Sequence, residues 1–176
     1  DGTIKFVYDA RGHQALLTAA QKASLQAFTN ANDETTMKAC SSTAYDYDLN
    51  GKVEAQTIDG GAHVFEYAYA ENTYQGYTDG PNNWKYRRDE TLKDGSGNTI
   101  RTTRLYANYR GQTILTKTTA DGHDWIEFRQ YDSQRRLILD ATPSAVASYT
   151  QGNLTITPTF NASGLVRLSE YYGSTT

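Results

Sequence analysis

Ala44-Tyr45-Asp46-Tyr47-Asp48-Leu49-Asn50-Gly51-Lys52-Val53 reads as a strand, a turn and the start of a second strand. Tyr45 and Tyr47 alternate with polar residues, so both rings fall on one face of an extended segment. Asp48 has a short carboxylate that can bond to backbone N–H groups just ahead of it, and Gly51 offers a position that tolerates positive φ. The strand resumes at Val53. The unit is an aromatic residue, Asp, two variable residues and Gly.

Pieces of this unit recur. Tyr8-Asp9-Ala10-Arg11-Gly12 repeats it, and altered forms stand at Ala107-Asn108-Tyr109-Arg110-Gly111, Tyr131-Asp132-Ser133-Gln134-Arg135 and Phe160-Asn161-Ala162-Ser163-Gly164. Asn in place of Asp keeps a short side chain that bonds to local backbone, and Phe in place of Tyr keeps the ring. Arg135 is the misfit, because a residue with a Cβ is strained where Gly is not; the turn there is expected to be different or strained. Glycine turns at Asp59-Gly60-Gly61 and Asp121-Gly122 lead into the aromatic runs Val64–Tyr69 and Trp125–Tyr131. Self-similarity at about one hairpin per repeat points to stacked repeats.

On these units the sequence resembles the Rhs or YD-repeat family, which includes bacterial Rhs proteins, toxin-complex shell components and the teneurins of animal cell surfaces. The resemblance covers most of the chain. It implies a strip of β-hairpins that spirals into a hollow shell, and in toxin-type members the shell encloses a polypeptide cargo. Self-cleavage in those members uses an Asp-Pro junction near the end of the shell. Here Pro81, Pro143 and Pro158 follow Gly, Thr and Thr, so that chemistry is not carried over.

Composition agrees with a half-buried sheet. Tyr occurs 14 times among 176 residues, and amphipathic aromatics suit a pleated surface better than a thick aliphatic core. A net charge of −3 with scattered basic residues leaves no footprint for nucleic acid or an anionic membrane. No run of apolar residues approaches a membrane span. Cys40 is the single cysteine, which excludes an intrachain disulfide; with no nucleophile signature around it, it reads as a small side chain and not as a nucleophile. Both ends read as cuts through a longer array.

The expected architecture is mostly β: one array of stacked antiparallel hairpins over residues 1–176, a strip or shell wall, with irregular insertions near 19–43 and 72–83. Strands are expected near Thr3–Tyr8, Ala15–Thr18, Trp84–Leu92, Asn98–Tyr106, Thr113–Thr118, Trp125–Tyr131, Arg136–Asp140, Ser148–Tyr149, Leu154–Thr159 and Leu165–Tyr171. Lys93-Asp94-Gly95-Ser96-Gly97 is a hairpin turn. Residues 19–29 are rich in helix formers and read as a short helix or an irregular insertion.

Residues that suggest chemistry have bland readings. His63 and His123 each follow a glycine turn and precede an aromatic strand, a repeat position more than a metal or general-base position; His13 reads as exposed. The Asp residues of the units are one hairpin apart and committed to local turns, so no calcium site or acid pair such as Asp46 with Asp48 is expected. No catalytic, cofactor or metal residues are assigned. The assigned roles are structural turns at Tyr8, Asp9, Gly12, Tyr47, Asp48, Gly51, Asn108, Gly111, Tyr131, Asp132, Phe160, Asn161 and Gly164, with strand tyrosines laddered across hairpins. A laddered Tyr47 would make Tyr47→Ala costly.

The leading expectation is a non-enzymatic structural segment of an exported YD-repeat protein, extracellular or at the cell surface. Its partners would be flanking repeats of the parent chain or other copies joined edge to edge, with enclosed polypeptide cargo as the family implies. The alternative is a secreted carbohydrate-binding or adhesion module that stacks surface glycans on Tyr74, Tyr77, Trp84 and Tyr86; a glycosidase or lyase on a β scaffold comes third. Asn153-Leu154-Thr155 and Asn161-Ala162-Ser163 are N-glycosylation sequons, relevant only in a secreted protein of a glycosylating cell.

Overall fold

A computed structural model describes residues 5–8, 14–17, 38–39 and 42–172. The fold is mostly β. Among the described residues the strands are β1 (Lys5–Tyr8), β2 (Gln14–Leu17), β3 (Thr43–Tyr47), β4 (Val53–Ile58), β5 (His63–Glu71), β6 (Tyr86–Asp94), β7 (Thr99–Ala107), β8 (Thr113–Ala120), β9 (His123–Tyr131), β10 (Leu137–Ala141), β11 (Val146–Gln151), β12 (Ile156–Phe160) and β13 (Val166–Leu168). In the large sheet β1 to β10 follow in chain order and β13 lies beside β10; β11 and β12 form a two-stranded sheet, and neither sheet closes into a barrel. Strands joined by short turns pair antiparallel, because such a turn leaves no length for a crossover. Asp9, Gly12, His13, Cys40 and the 19–29 segment lie outside the described residues.

The chain divides into two compact units, residues 1–68 with 90–101 and residues 69–89 with 102–176. In the first unit Tyr45 pairs with Gln56 and Gln56 with Phe65, which places all three on one face of β3, β4 and β5. Tyr45 and Tyr47 neighbour each other along β3 at 6.4 Å between ring centroids, and Phe65 and Tyr67 stack along β5 at 6.5 Å. Across the strands the link is polar: Gln56 Nε2 donates to the Tyr45 hydroxyl and the Tyr67 hydroxyl donates to Gln56 Oε1, each at 3.3 Å. The expected ladder of rings across β3, β4 and β5 is therefore a pair of rings on each outer strand bridged by a glutamine. Alternation set the face, and β4 has no aromatic residue with which to continue the ladder.

The second unit holds the larger core. Trp84, Tyr106, Ile114, Leu115, Ile126, Phe128, Ala141, Ala145, Val146 and Ile156 pack together, with Leu139 and Tyr149 at the margin. Leu115 pairs with Phe128 and Phe128 with Ala141, a row that runs across β8, β9 and β10. The β11–β12 hairpin supplies the cover: the Phe160 ring meets Phe128 edge-on at 6.4 Å and Tyr149 meets Tyr106 at 5.9 Å. Ile114 and Leu115 are adjacent and point to opposite faces, yet both are fully buried, so the sheet is covered on both sides there.

The irregular segment between β5 and β6 is held by amides. Asn72 is buried; its Nδ2 donates to the carbonyls of Trp84 at 3.0 Å and Asn153 at 2.7 Å, and its Oδ1 accepts from Tyr74 N–H at 3.0 Å. The Asn82 amide pairs with both backbone groups of Tyr131 at 2.8 Å, as a neighbouring strand residue would. A buried amide left without such partners would cost about 1–3 kcal/mol, so these asparagines define the path of the segment.

Candidate functional site

The recurring structural device is the turn, built the same way four times. Asp48 Oδ1 accepts from the N–H groups of Asn50 at 2.8 Å and Lys52 at 2.9 Å, Gly51 N–H donates to Asp48 O at 3.0 Å, and Gly51 has φ 78. This is a type I turn followed by one left-handed residue, a common way to join antiparallel strands with a bulge. Asn108 Oδ1 repeats it with Arg110 and Gln112 at 3.0 Å each, and Gly111 has φ 79. Asp132 Oδ1 accepts from Arg136 N–H at 2.8 Å, and Arg135 N–H donates to Asp132 O at 2.9 Å.

The fourth copy is Asp94. Its Oδ1 accepts from Ser96 N–H at 2.9 Å and Asn98 N–H at 2.8 Å, and Gly97 has φ 85. Sequence reading placed a hairpin turn here but missed its kinship with the other three. The spacing from Asp94 to Gly97, equal to that from Asp48 to Gly51, was the available signal. Asp121-Gly122 is a different turn: both residues have positive φ, 50 and 74, between the paired Ala120 and His123, which is the tight two-residue hairpin.

No model of a known protein family matches the chain, and no curated protein matches it.

Position 108 carries Asn for a reason beyond the turn. Its side chain is fully buried, and Nδ2 donates to Pro81 O at 2.7 Å and Gln112 Oε1 at 3.0 Å. Aspartate has no N–H to offer there. Arg135 takes the left-handed place with φ 66, a strain of about 1–2 kcal/mol for a residue with a Cβ. Its guanidinium lies over the Tyr109 ring, 5.2 Å from the centroid, and contacts the Tyr109 hydroxyl; such a contact offsets about 0.5–1 kcal/mol. The turn is the common one, strained.

Phe160-Asn161-Ala162-Ser163-Gly164 forms a different structure from the turn expected for it. Asn161 N–H donates to Ala145 O and Asn161 Nδ2 to Ser144 O, each at 2.9 Å. Gly164 has φ 151, and a Cβ there would lie 2.4 Å from Ala145 Cα and Ser144 O. Both residues serve to wrap residues 161–165 around the corner at 142–145. That long-range contact claims the amide that the local turn would have used. Of the remaining turn residues, Tyr8 ends β1, Tyr47 is half-buried beside Tyr45, and the Tyr131 hydroxyl donates to Thr113 O at 2.9 Å.

The four loop aromatics divide. Tyr74 and Tyr86 are each 45% exposed, whereas Trp84 is 7% exposed. Trp84 sets its ring edge-on to Tyr106 at 5.6 Å and donates Nε1–H to Gly152 O at 3.1 Å, so it is a core residue and offers no sugar platform. Tyr77 is half-buried with Lys85 Nζ 4.7 Å from its ring centroid. Burial of its hydroxyl, with the Asp79 carboxylate beside it, pushes its pKa up to about 12. Sequence showed four aromatics near a loop; only packing separates the buried from the exposed.

Among the described residues no group of His, Cys, Asp and Glu is arranged to hold a metal ion. His63 and His123 are exposed, and His123 lies against Trp125 at 6.1 Å. Asp46 pairs with Lys38 at 2.5 Å while Asp48 closes its turn, so the two carboxylates serve separate partners. No described helix is long and apolar enough to cross a membrane.

The turns carry two predictions. A Cβ at Gly111 would meet nothing within 4 Å, so Gly111→Ala isolates the backbone cost of φ 79. An expected loss of about 1–2 kcal/mol follows, read from urea midpoints. An unchanged midpoint would count against left-handed strain. Arg135→Gly, which removes strain and cation–π contact together, should change stability by less than about 1 kcal/mol in either direction.

Acid is the second lever. The Asp48, Asp94 and Asp132 carboxyls titrate below the ordinary 3.8: Asp48 chiefly through the Lys52 N–H, Asp94 through the Asn98 side chain, Asp132 through the Arg136 N–H. A lowered folded value means that the unfolded chain binds protons first. The stabilisation is therefore present above the unfolded value and is lost as pH falls through the folded values. The urea midpoint is therefore expected to drop as pH falls through and below the ordinary carboxylate value of 3.8, and Asp132→Asn should flatten that drop. A profile with the same slope in the variant contradicts this role.

Proposed function

We propose that this chain is a non-enzymatic structural segment of an exported YD-repeat protein, part of a β-shell wall or extracellular scaffold. The observation that carries this reading is the single turn built at Asp48, Asp94, Asn108 and Asp132. Each copy joins neighbouring strands, and in each the side-chain Oδ1 accepts from backbone N–H groups of its own turn. Such a device propagates a sheet: at these four turns local bonds set the direction in which the chain returns as the next strand. The carboxylates so engaged are not gathered for acid–base work. A stacked sheet of this kind suits a wall, a lining or a surface layer.

The experiment is intact mass and terminal-peptide analysis of the natural protein, with electron microscopy of the purified particle. Further hairpins with the Asp-or-Asn, two residues, Gly spacing, in a strip- or shell-shaped particle, are the expected result. A natural chain confined to these residues and monomeric at every concentration would overturn the reading. The carbohydrate alternative is left with Tyr74 and Tyr86, since Trp84 lies in the core.

A further inference from the structure

The core face of the second unit runs past its cover. Val166 pairs with Ala141 and Leu168 with Leu139, so both side chains of β13 lie on the face that carries Phe128 and Ala141. Ala141 is fully buried, yet Val166 is 38% and Leu168 72% exposed. The β11–β12 hairpin stops short of this edge, and Phe160, its last residue, is itself 46% exposed. An apolar surface continues to the sheet margin with nothing over it among the described residues.

The opposite face carries a charge row that is also incomplete. The register sets Arg129, Asp140 and Arg167 side by side on β9, β10 and β13. Arg129 Nε bonds Asp140 Oδ1 at 3.1 Å, and Arg167 has no ion pair among the described residues. The alternation of plus, minus, plus leaves a place for a carboxylate on the next strand.

Backbone geometry completes the site. Thr142 N–H donates to Leu165 O and Ser169 N–H to Ile138 O, each at 3.0 Å, so the odd-numbered residues of this segment turn their peptide groups toward β10. In an antiparallel ladder the intervening residues face the other way. The N–H and C=O of Val166 and Leu168 thus point to the open edge, and a residue opposite Arg167 would sit in the close, non-hydrogen-bonded pair.

We propose that the open edge of β13 docks an extended segment of another polypeptide with the pattern apolar, acidic, apolar. It adds antiparallel to Val166–Leu168, sets a carboxylate opposite Arg167 and lays its apolar side chains beside Val166 and Leu168. The mode is strand addition, in which main-chain bonds hold the segment and alternate side chains select it. Leu139-Asp140-Ala141 on β10 already shows this pattern against the inner edge of β13. A second copy paired β13 to β13 over all three residues would set Arg167 against Arg167, an unfavourable cross-strand pair. This inference rests on the scaffold reading and adds the chemistry of the partner.

The test uses a labelled peptide copying residues 136–142, its Asp140→Lys counterpart, and fluorescence anisotropy with the whole chain. The acidic peptide is expected to bind more tightly than the lysine peptide by roughly five- to tenfold, the span from attraction to repulsion in one cross-strand pair. Arg167→Glu should reverse the preference and Arg167→Gln should abolish it, with far-UV circular dichroism as the check on folding. Equal binding of both peptides, or binding of neither, overturns the proposal. So does a concentration-dependent dimer, seen by sedimentation, that the acidic peptide fails to dissociate. These outcomes leave untouched the count of hairpins in the natural protein, which tests the scaffold reading separately.

Discussion

Tyr106→Ala lowers the unfolding free energy by about 3–5 kcal/mol, the range for deletion of a buried aromatic side chain. Tyr106 is fully buried between the Trp84 and Tyr149 rings, at 5.6 and 5.9 Å, so truncation leaves a cavity that neither ring can fill without leaving its own contacts. Its hydroxyl donates to Gln151 Oε1 at 2.7 Å. Tyr106→Phe removes that bond alone and should cost about 1 kcal/mol. Urea unfolding followed by tryptophan fluorescence reads both variants. Tyr47→Ala provides the contrast, because a half-buried ring should cost only about 1–2 kcal/mol. Equal losses at positions 47 and 106 would show that the core has been placed wrongly.

Gly164→Ala should destabilise the second unit by about 2–5 kcal/mol, adding strain at φ 151 to a collision with backbone. The methyl would lie 2.4 Å from Ser144 O and Ala145 Cα, atoms that cannot rotate away. Relief requires residues 161–165 to lift from the corner. The bonds from Thr142 to Leu165 and from Asn161 to Ala145 would then open. Faster amide exchange at Thr142 and Asn161 is the local signature. Gly122→Ala is the control, since a Cβ there meets nothing within 4 Å and only the backbone strain applies. Wild-type exchange at Thr142 in the Gly164 variant would contradict this account.

Such predictions lie on the tertiary side of a boundary that runs through the whole molecule. At Asp48 and Asp132 the side chain bonds to backbone at most four residues away, so the turn is legible from spacing alone. Asp94 was legible by the same rule, since its spacing to Gly97 equals that of Asp48 to Gly51. Asn161 shows where the rule ends: it has the same local options, but the corner at Ser144 and Ala145 competes for its amide and wins. Tyr74 and Trp84 make the same point for exposure. Both are large aromatics beside one loop, and only Trp84 has Tyr106 and the Gly152 carbonyl within reach.

By itself the sequence determined the mostly β class, the strand alternation and the Asp-or-Asn turns, because a side-chain period of two and a carboxylate bonded to its own backbone are local facts. The tertiary structure alone decided which faces are covered. Strand register sets Leu115, Phe128, Ala141 and Val166 on one face, but their burial depends on where the β11–β12 hairpin lies, and that hairpin ends before it reaches β13.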